Sequence, residues 1–252
     1  MAQLQKRDIL IFIILMLGVA TFEMIRSALN WFHHPSSRPA LQGRLSALYR
    51  DKYIDRRRIP RCGNLPQVTI YALKISAARV LAEKDHQLES MRLGLPKPFF
   101  VKHEMSVTRF LHKVAEESLY GLYKYEYQDS NMLKKNRTKG TKTAVPDLRL
   151  TVMFRREIVI INIEIDLGTV LSSEMIARIA EQTRTGEMLL IVCTGKKRLA
   201  NLKKACKTAC FSGRYNVFFI LLEDFVVGGF KDTALVNIDN KSIWMRLDYR
   251  LP

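Results

Sequence analysis

Cysteine is scarce in this 252-residue chain: four residues, Cys62, Cys193, Cys206 and Cys210, with no C-x-x-C spacing among them. So few scattered thiols exclude a disulfide framework and give no zinc signature, and the simple expectation is reduced thiols in a cytosol. Acids are also few. Against 41 Lys and Arg stand 24 Asp and Glu, a formal net charge of +17. That balance excludes an indifferent surface and points to a polyanionic partner, nucleic acid first and an anionic membrane second. There are no internal repeats. A Walker-type phosphate loop is missing too, because the "GKKR" at 195–198 lacks the glycine-rich lead. His33 and His34 sit in a loop before Pro35, and His86, His103 and His112 are too separated to suggest a triad. A long hydrophobic span is lacking as well. The run "ILIFIILMLGVA" at 9–20 falls short of the ~20 apolar residues a membrane helix needs. Asp8 abuts it, Glu23 and Arg26 interrupt the residues after it, and no small-x-small cleavage site precedes the next helical pattern. A buried helix is the reading, with a membrane or export segment as its alternative.

The charge that is present is uneven: residues 1–113 carry 19 Lys and Arg against 8 Asp and Glu, +11 of the +17. In this part Thr21 can N-cap a second helix with Phe22, Ile25 and Leu29 at helical spacing. Ser36 or Ser37 then caps a third, "RPALQGRLSALYRDKYI", whose buried stripe is Leu41, Leu45 and Leu48. Pro39 is tolerated because it falls in the first turn. Two β-like runs in "YIDRRRIPRCGNLPQVTIYAL" flank a Pro/Gly/Asn turn and read as a hairpin. Three short helices followed by an arginine-rich hairpin is the order of a winged helix-turn-helix. In such a module the third helix enters the major groove and the wing touches the backbone or minor groove. The expected contacts to duplex DNA are Arg38, Gln42 and Arg44 from the helix, and Arg56, Arg57, Arg58 and Arg61 from the wing.

"LPKPFF" at 95–100 is the best linker. The expected organisation is α+β: a winged helix-turn-helix over 1–94, a linker over 95–103 and an α/β domain over 104–252. In the second part the spacing predicts a long helix over 104–122, a strand at "YKYEYQ" and a polar basic loop at "DSNMLKKNRTKGTKT". Two strands over 147–154 and 158–166 come next, then the helix "SSEMIARIAEQTR", opened by Ser172 or Ser173 as cap. The strand "EMLLIVCT", the basic helix "KKRLANLKKACKTAC" and the strand "YNVFFILLE" complete the series. The tail beyond Phe225, with Trp244, is expected to add an edge strand. Lys196, Lys197 and Arg198 crowd the start of the basic helix, where phosphate is favoured, and are expected to touch DNA backbone. Lys203, Lys204 and Lys207 extend that patch.

Three acids stand apart. If 147–166 is a hairpin turning at Arg155–Arg156, paired residue numbers sum to 311 and Asp147 falls opposite Glu164, with Cβ atoms ~5 Å apart. Asn162, Glu164 and Asp166 alternate with Ile161, Ile163 and Ile165, so both acids leave one face of the strand. Three carboxylates converging at a sheet edge repel one another unless a cation intervenes, which makes Mg²⁺ or Mn²⁺ on Asp147, Glu164 and Asp166 the expected cofactor. A metal so held would activate water for phosphodiester cleavage. The bland alternative is that the acids are solvated residues at a strand end.

The arrangement α-β-β-β-α-β over 104–222, with Pro146-Asp147 and Glu164, resembles the PD-(D/E)xK nuclease superfamily. That resemblance implies a supporting acid at Glu116 or Glu117 and a lysine two residues after the glutamate. Asp166 stands in the lysine's place, and Arg178 is the nearest expected cationic substitute, a good phosphate clamp and a poor proton-transfer group. The pattern Pro146, Asp147, Glu164, Asp166, Gly168 and Thr169 is also similar to that of the plasmid replication-relaxation family. Supporting segments are "KRDILIFIILMLG", "RLSALYRDKYIDRR", "IYALKISAARVLA" and "KHEMSVTRFLHKV". This likeness implies a cytoplasmic DNA-binding protein of a mobile element, acting in replication, relaxation or transfer. Its expected partners are double-stranded DNA, replication or mobilisation proteins and a second copy of the chain. Two other readings stay open: an active Mg²⁺-dependent endonuclease or nickase using Asp147, Glu164, Asp166 and Arg178, and a membrane-tethered interaction protein anchored through 9–20.

Overall fold

The N-terminal apolar run is too hydrophobic on every side to lie on a surface, and in the computed structural model it is a core helix. The structure describes residues 3–59, 67–84, 91–136, 144–154, 157–209, 216–243 and 245. Contacts divide the chain into two units, Met1–His112 and Lys113–Pro252. The division falls within the helix Val101–Leu119, into which the 3-10 turn Pro98–Phe100 runs directly.

The first unit is built in the order α1 (Lys6–Met16), β1 (Ala20–Thr21), α2 (Phe22–Trp31), α3 (Arg38–Arg50), β2 (Ile54–Ile59), β3 (Val68–Leu73) and α4 (Ile75–Ala82). Leu10, Ile11, Phe12, Ile14 and Leu15 of α1 pack with Ile25 and Leu29 of α2 and with Leu41, Leu45 and Leu48 of α3. The 11 residues of α1 span about 16 Å, half a bilayer core. Among the described residues no helix is long and apolar enough to cross a membrane. The expected caps form: Thr21 accepts from the Met24 N–H at 3.2 Å and Ser37 from the Ala40 N–H at 3.4 Å. The three strands pair antiparallel in the order β1-β3-β2, with Arg56 opposite Tyr71 and Arg58 opposite Thr69. The expected turn between β2 and β3, including Arg61, lies outside the described residues.

Asp8 and His112 are among the polar residues buried in this unit. Asp8, with no exposed surface, accepts from the Gln5 N–H at 2.6 Å and from the guanidinium of Arg44, whose Nε lies 2.6 Å from Oδ1. His112, on α5 (Val101–Leu119), lies 3.3 Å from the carbonyl of Ile14 and meets the Trp31 ring edge-on. Burial pushes its pKa down to about 4.

The second unit continues through β4 (Lys124–Asp129), α6 (Ser130–Lys135), β5 (Leu148–Phe154), β6 (Glu157–Asp166), α7 (Ser172–Gln182), β7 (Met188–Cys193), α8 (Lys196–Thr208), β8 (Val217–Leu221), α9 (Leu222–Asp232), β9 (Leu235–Asn237) and β10 (Ser242–Ile243). Its seven strands lie in the order β10-β9-β8-β7-β6-β5-β4, with β6, β7 and β8 parallel. Two elements depart from expectation. The start of the polar loop after β4 is helical because Asp129 caps α6, accepting from the N–H groups of Asn131 and Met132. The strand at 217 ends at Leu221, and the chain turns at once into α9 before the β9–β10 hairpin; Trp244 lies outside the described residues. Leu189, Ile191, Val217 and Phe219 cover one sheet face with Met175 and Ile179 of α7 and Leu202 and Cys206 of α8.

The depressed pKa of His112 has a defined consequence for stability. The folded chain keeps the imidazole neutral down to about pH 4, whereas an unfolded histidine takes up its proton near 6.5. Stability is therefore complete above pH 6.5 and falls by about 3 kcal/mol as pH drops from 6.5 to 4. Urea unfolding of the wild type and His112→Gln across that range is expected to show the slope in the wild type and its loss in the variant. Equal slopes would contradict the assignment.

Candidate nucleic-acid interface and the acidic strand

The β5–β6 ladder has the register that a two-residue turn predicts: Leu148 pairs Ile163 and Phe154 pairs Glu157, numbers that sum to 311 throughout. Asp147 stands one step beyond the last pair, and its Oδ2 accepts from the Ile165 N–H at 2.8 Å. Glu164 and Asp166 leave the same face of β6, as the alternation requires. They do not reach a sheet edge. β6 lies between β5 and β7, and both acids are 2% exposed beneath α7 and α8. The signal was in "EIVIINIEID", whose near-continuous apolar run is the mark of a strand covered on both faces.

Each acid has its own protein partner. Asp166 receives Arg198 in a fork, Nε at 2.6 Å from Oδ2 and Nη2 at 3.3 Å from Oδ1, and the Gly168 N–H at 2.9 Å. Arg198 also donates to the Val170 carbonyl at 2.7 Å and to the Ser172 hydroxyl at 3.1 Å, tying the loop after β6 to the start of α8. Glu164 accepts from the Gln182 amide, with Arg178 Nη1 at 4.0 Å. Asn162 donates to Glu187 at 2.9 Å, which also binds Arg149. Nearby, burial pushes the Cys193 and Cys206 thiols up to about 12 and 11, so neither is a thiolate at neutral pH.

A divalent cation needs several oxygens converging with open coordination sites. Here one carboxylate is already bound to a guanidinium, which a metal would have to displace. Among the described residues no group of three or more His, Cys, Asp or Glu is arranged to hold a metal ion. The donor set as placed does not fit Mg²⁺ or Mn²⁺. Arg198, expected to touch DNA backbone, is turned inward to Asp166 instead, while Lys196 and Lys197 remain exposed at the start of α8. The cation facing the acids is therefore chiefly Arg198, with half-exposed Arg178 more distant.

The supporting acids take other roles. Glu116 pairs with Lys113 at 3.0 Å. Glu117 is buried, and its carboxylate accepts from the Phe230 and Lys231 N–H groups at 3.0 and 3.2 Å and from the Tyr123 hydroxyl at 2.9 Å. It thus caps the second half of α9, which restarts after a kink at Gly229 (φ +63°). A Cβ at Gly229 would lie 2.1 Å from Glu117 Oε1, so only glycine lets the carboxylate reach those amides.

In the first unit the expected DNA-reading residues separate into two groups. Arg44 is bound to Asp8 and the Gln3 carbonyl and is 15% exposed. Arg57 is half-buried and donates to the Pro96 carbonyl at 2.6 Å. By contrast Arg38, Gln42, Arg56 and Arg58 are exposed, as are Ser46 and Arg50 on the same side of α3. Arg56 lies over the Tyr49 ring at 4.2 Å, which joins the hairpin to the end of α3. Arg38 donates to Glu23 at 2.8 Å and rests over Phe22. Arg44 reads as a structural arginine only after folding, since helical spacing alone places it beside the apolar stripe.

The fold is thus mixed α+β with two sheets, and in the first unit α3 and the β2–β3 hairpin present the exposed arginines Arg38, Arg50, Arg56 and Arg58. No family model matches the chain, and no curated protein matches it. Among solved structures it is similar to Bacillus subtilis PadR, crystallised in complex with operator DNA, at 16% identity and a TM-score of 0.30 over 55% of this chain and 83% of that one. The likeness to the replication-relaxation family accordingly rests on its motif residues alone.

Removing Arg198 would leave Asp166 buried without its cation, and breaking such a pair costs about 3–5 kcal/mol. Arg198→Ala is expected to lower the urea midpoint accordingly with the m-value unchanged. A loss below about 1 kcal/mol, the range of surface pairs, would contradict a buried clamp.

Proposed function

We propose that the chain is a double-stranded DNA-binding protein whose first unit acts as a winged helix-turn-helix, with α3 in the major groove and the β2–β3 hairpin along the backbone. The observation that carries this reading is the exposed side of α3 together with Arg56 and Arg58, a surface built next to a helix clamped from behind by Asp8 and Arg44. The chain's excess of bases supports it, because phosphate neutralisation supplies most of the affinity of such proteins. The element order helix-strand-helix-helix-strand-strand supports the module assignment.

For the second unit the proposal is a PD-(D/E)xK-like fold in which the acids of β6 serve structure. In support stand the antiparallel start β4-β5-β6, the parallel strands with α7 and α8 on one face, and the Asp147/Glu164/Asp166 pattern. An Asp166 bound to Arg198 lacks both the lysine of the nuclease pattern and an accessible carboxylate, which favours holding DNA or a partner over cutting it. Lys196 and Lys197 are the proposed backbone contacts there. A role in plasmid or mobile-element replication, relaxation or transfer rests on the motif resemblance alone.

The wing assignment sets a salt dependence. Each phosphate contact contributes about 0.9 to the slope of log affinity against log salt. Arg56→Ala/Arg58→Ala is expected to weaken binding to every duplex and flatten that slope by about 2, measured by fluorescence anisotropy from about 50 to 300 mM salt. An unchanged slope would remove the hairpin from the interface.

A further inference from the structure

The exposed side of α3 carries Arg38, Gln42, Ser46 and Arg50 at four-residue intervals, so they form a single ridge along the helix. Its two ends are about 18 Å apart at 1.5 Å per residue. B-DNA's major groove is about 12 Å wide, so with the helix seated at its middle the two end arginines lie nearest the phosphate rims. They meet the phosphates on either side. Arg38 is already directed away from the centre, held by Glu23 and stacked over Phe22. At the other end, Arg56 over Tyr49 extends the phosphate-directed arginines towards the hairpin.

What remains between the ends is uncharged. The middle of the ridge is Gln42 and Ser46, and beside them is Gly43, where an added Cβ would find open space. A glycine inside an exposed helix costs about 1 kcal/mol relative to alanine. Among the described residues nothing lies within 4 Å of where its Cβ would be, and its bare backbone permits the closest approach of the helix to a partner. The one arginine near the middle of the helix, Arg44, is unavailable, since its guanidinium closes on a carboxylate with no exposed surface.

These placements settle which base edge suits the surface. Guanine is best read by a free arginine or lysine on O6 and N7, and the centre of this ridge has neither. Adenine offers N6–H₂ and N7, which a glutamine side chain matches with one acceptor and one donor. We infer that Gln42 is the specificity-determining residue of α3 and selects adenine at the centre of the DNA site. Ser46 and Gly43 let the helix seat deeply there, and Arg38 and Arg50 grip the flanking phosphates without choosing a sequence. This rests on the DNA-binding reading above and narrows it to an A·T-centred duplex.

The test is selection of the full chain on a random-sequence duplex library, followed by titration of the selected site and its adenine-to-guanine variant. The wild type is expected to select adenine and to lose about 5- to 100-fold on that single change. Gln42→Ala should bind both duplexes within about twofold of each other, and Gln42→Arg should shift preference to guanine. Arg50→Ala should weaken both duplexes equally. A guanine-centred selected site, or adenine preference surviving in Gln42→Ala, would overturn the inference while leaving DNA binding standing. Failure of the wild type to retain any duplex would overturn the DNA-binding reading and this inference with it.

Discussion

Asp8 has no exposed surface, and a carboxylate so placed is tolerable only when donors and a cation surround it. The Gln5 amide and the fork of Arg44 supply them, joining the first turn of α1 to the middle of α3. Because the fork needs both nitrogens in line with both oxygens, it fixes the rotation of α3 about its own axis as well as its distance from α1. That rotation decides every residue that α3 presents outward. With Arg44 drawn inside, the ridge of Arg38, Gln42, Ser46 and Arg50 is what faces solvent.

The second unit uses the same device at another place. Asp166 and Arg198 close the loop after β6 against the first turn of α8, and Glu117 caps the kinked end of α9 through space that Gly229 leaves open. In all three cases an acid that could serve a ligand is satisfied by the chain itself. Buried carboxylates of this kind specify which element sits where, and they do so at a desolvation cost that hydrophobic packing must offset.

Much of the fold was legible in the sequence because local chemistry and periodicity agree. Thr21 and Ser37 cap as their side chains suggest, and the β5–β6 register is the one a two-residue turn dictates. The illegible part depends on partners distant in sequence. The apolar run of β6 marks a strand covered on both faces, but nothing local shows that Arg198, 32 residues on, turns back to Asp166, so its acids read as a metal-binding edge. The same holds for Arg44, whose partner is 36 residues earlier. α9 is not legible because in "LLEDFVVGGFKD" the acids Glu223 and Asp224 read as the end of the preceding strand and the glycine pair reads as a stop. The exposed ridge of α3, by contrast, was partly visible in the leucine spacing that defines its opposite side.

The central claim is that duplex DNA docks on α3 and the β2–β3 hairpin of the first unit. Amide hydrogen exchange of the full chain, alone and saturated with a duplex of about 25 base pairs, long enough to span two turns of the major groove, tests it most directly. Exchange is predicted to slow most in peptides covering residues 38–59. Slowing confined to the second unit, with 38–59 exchanging alike in both states, would contradict it.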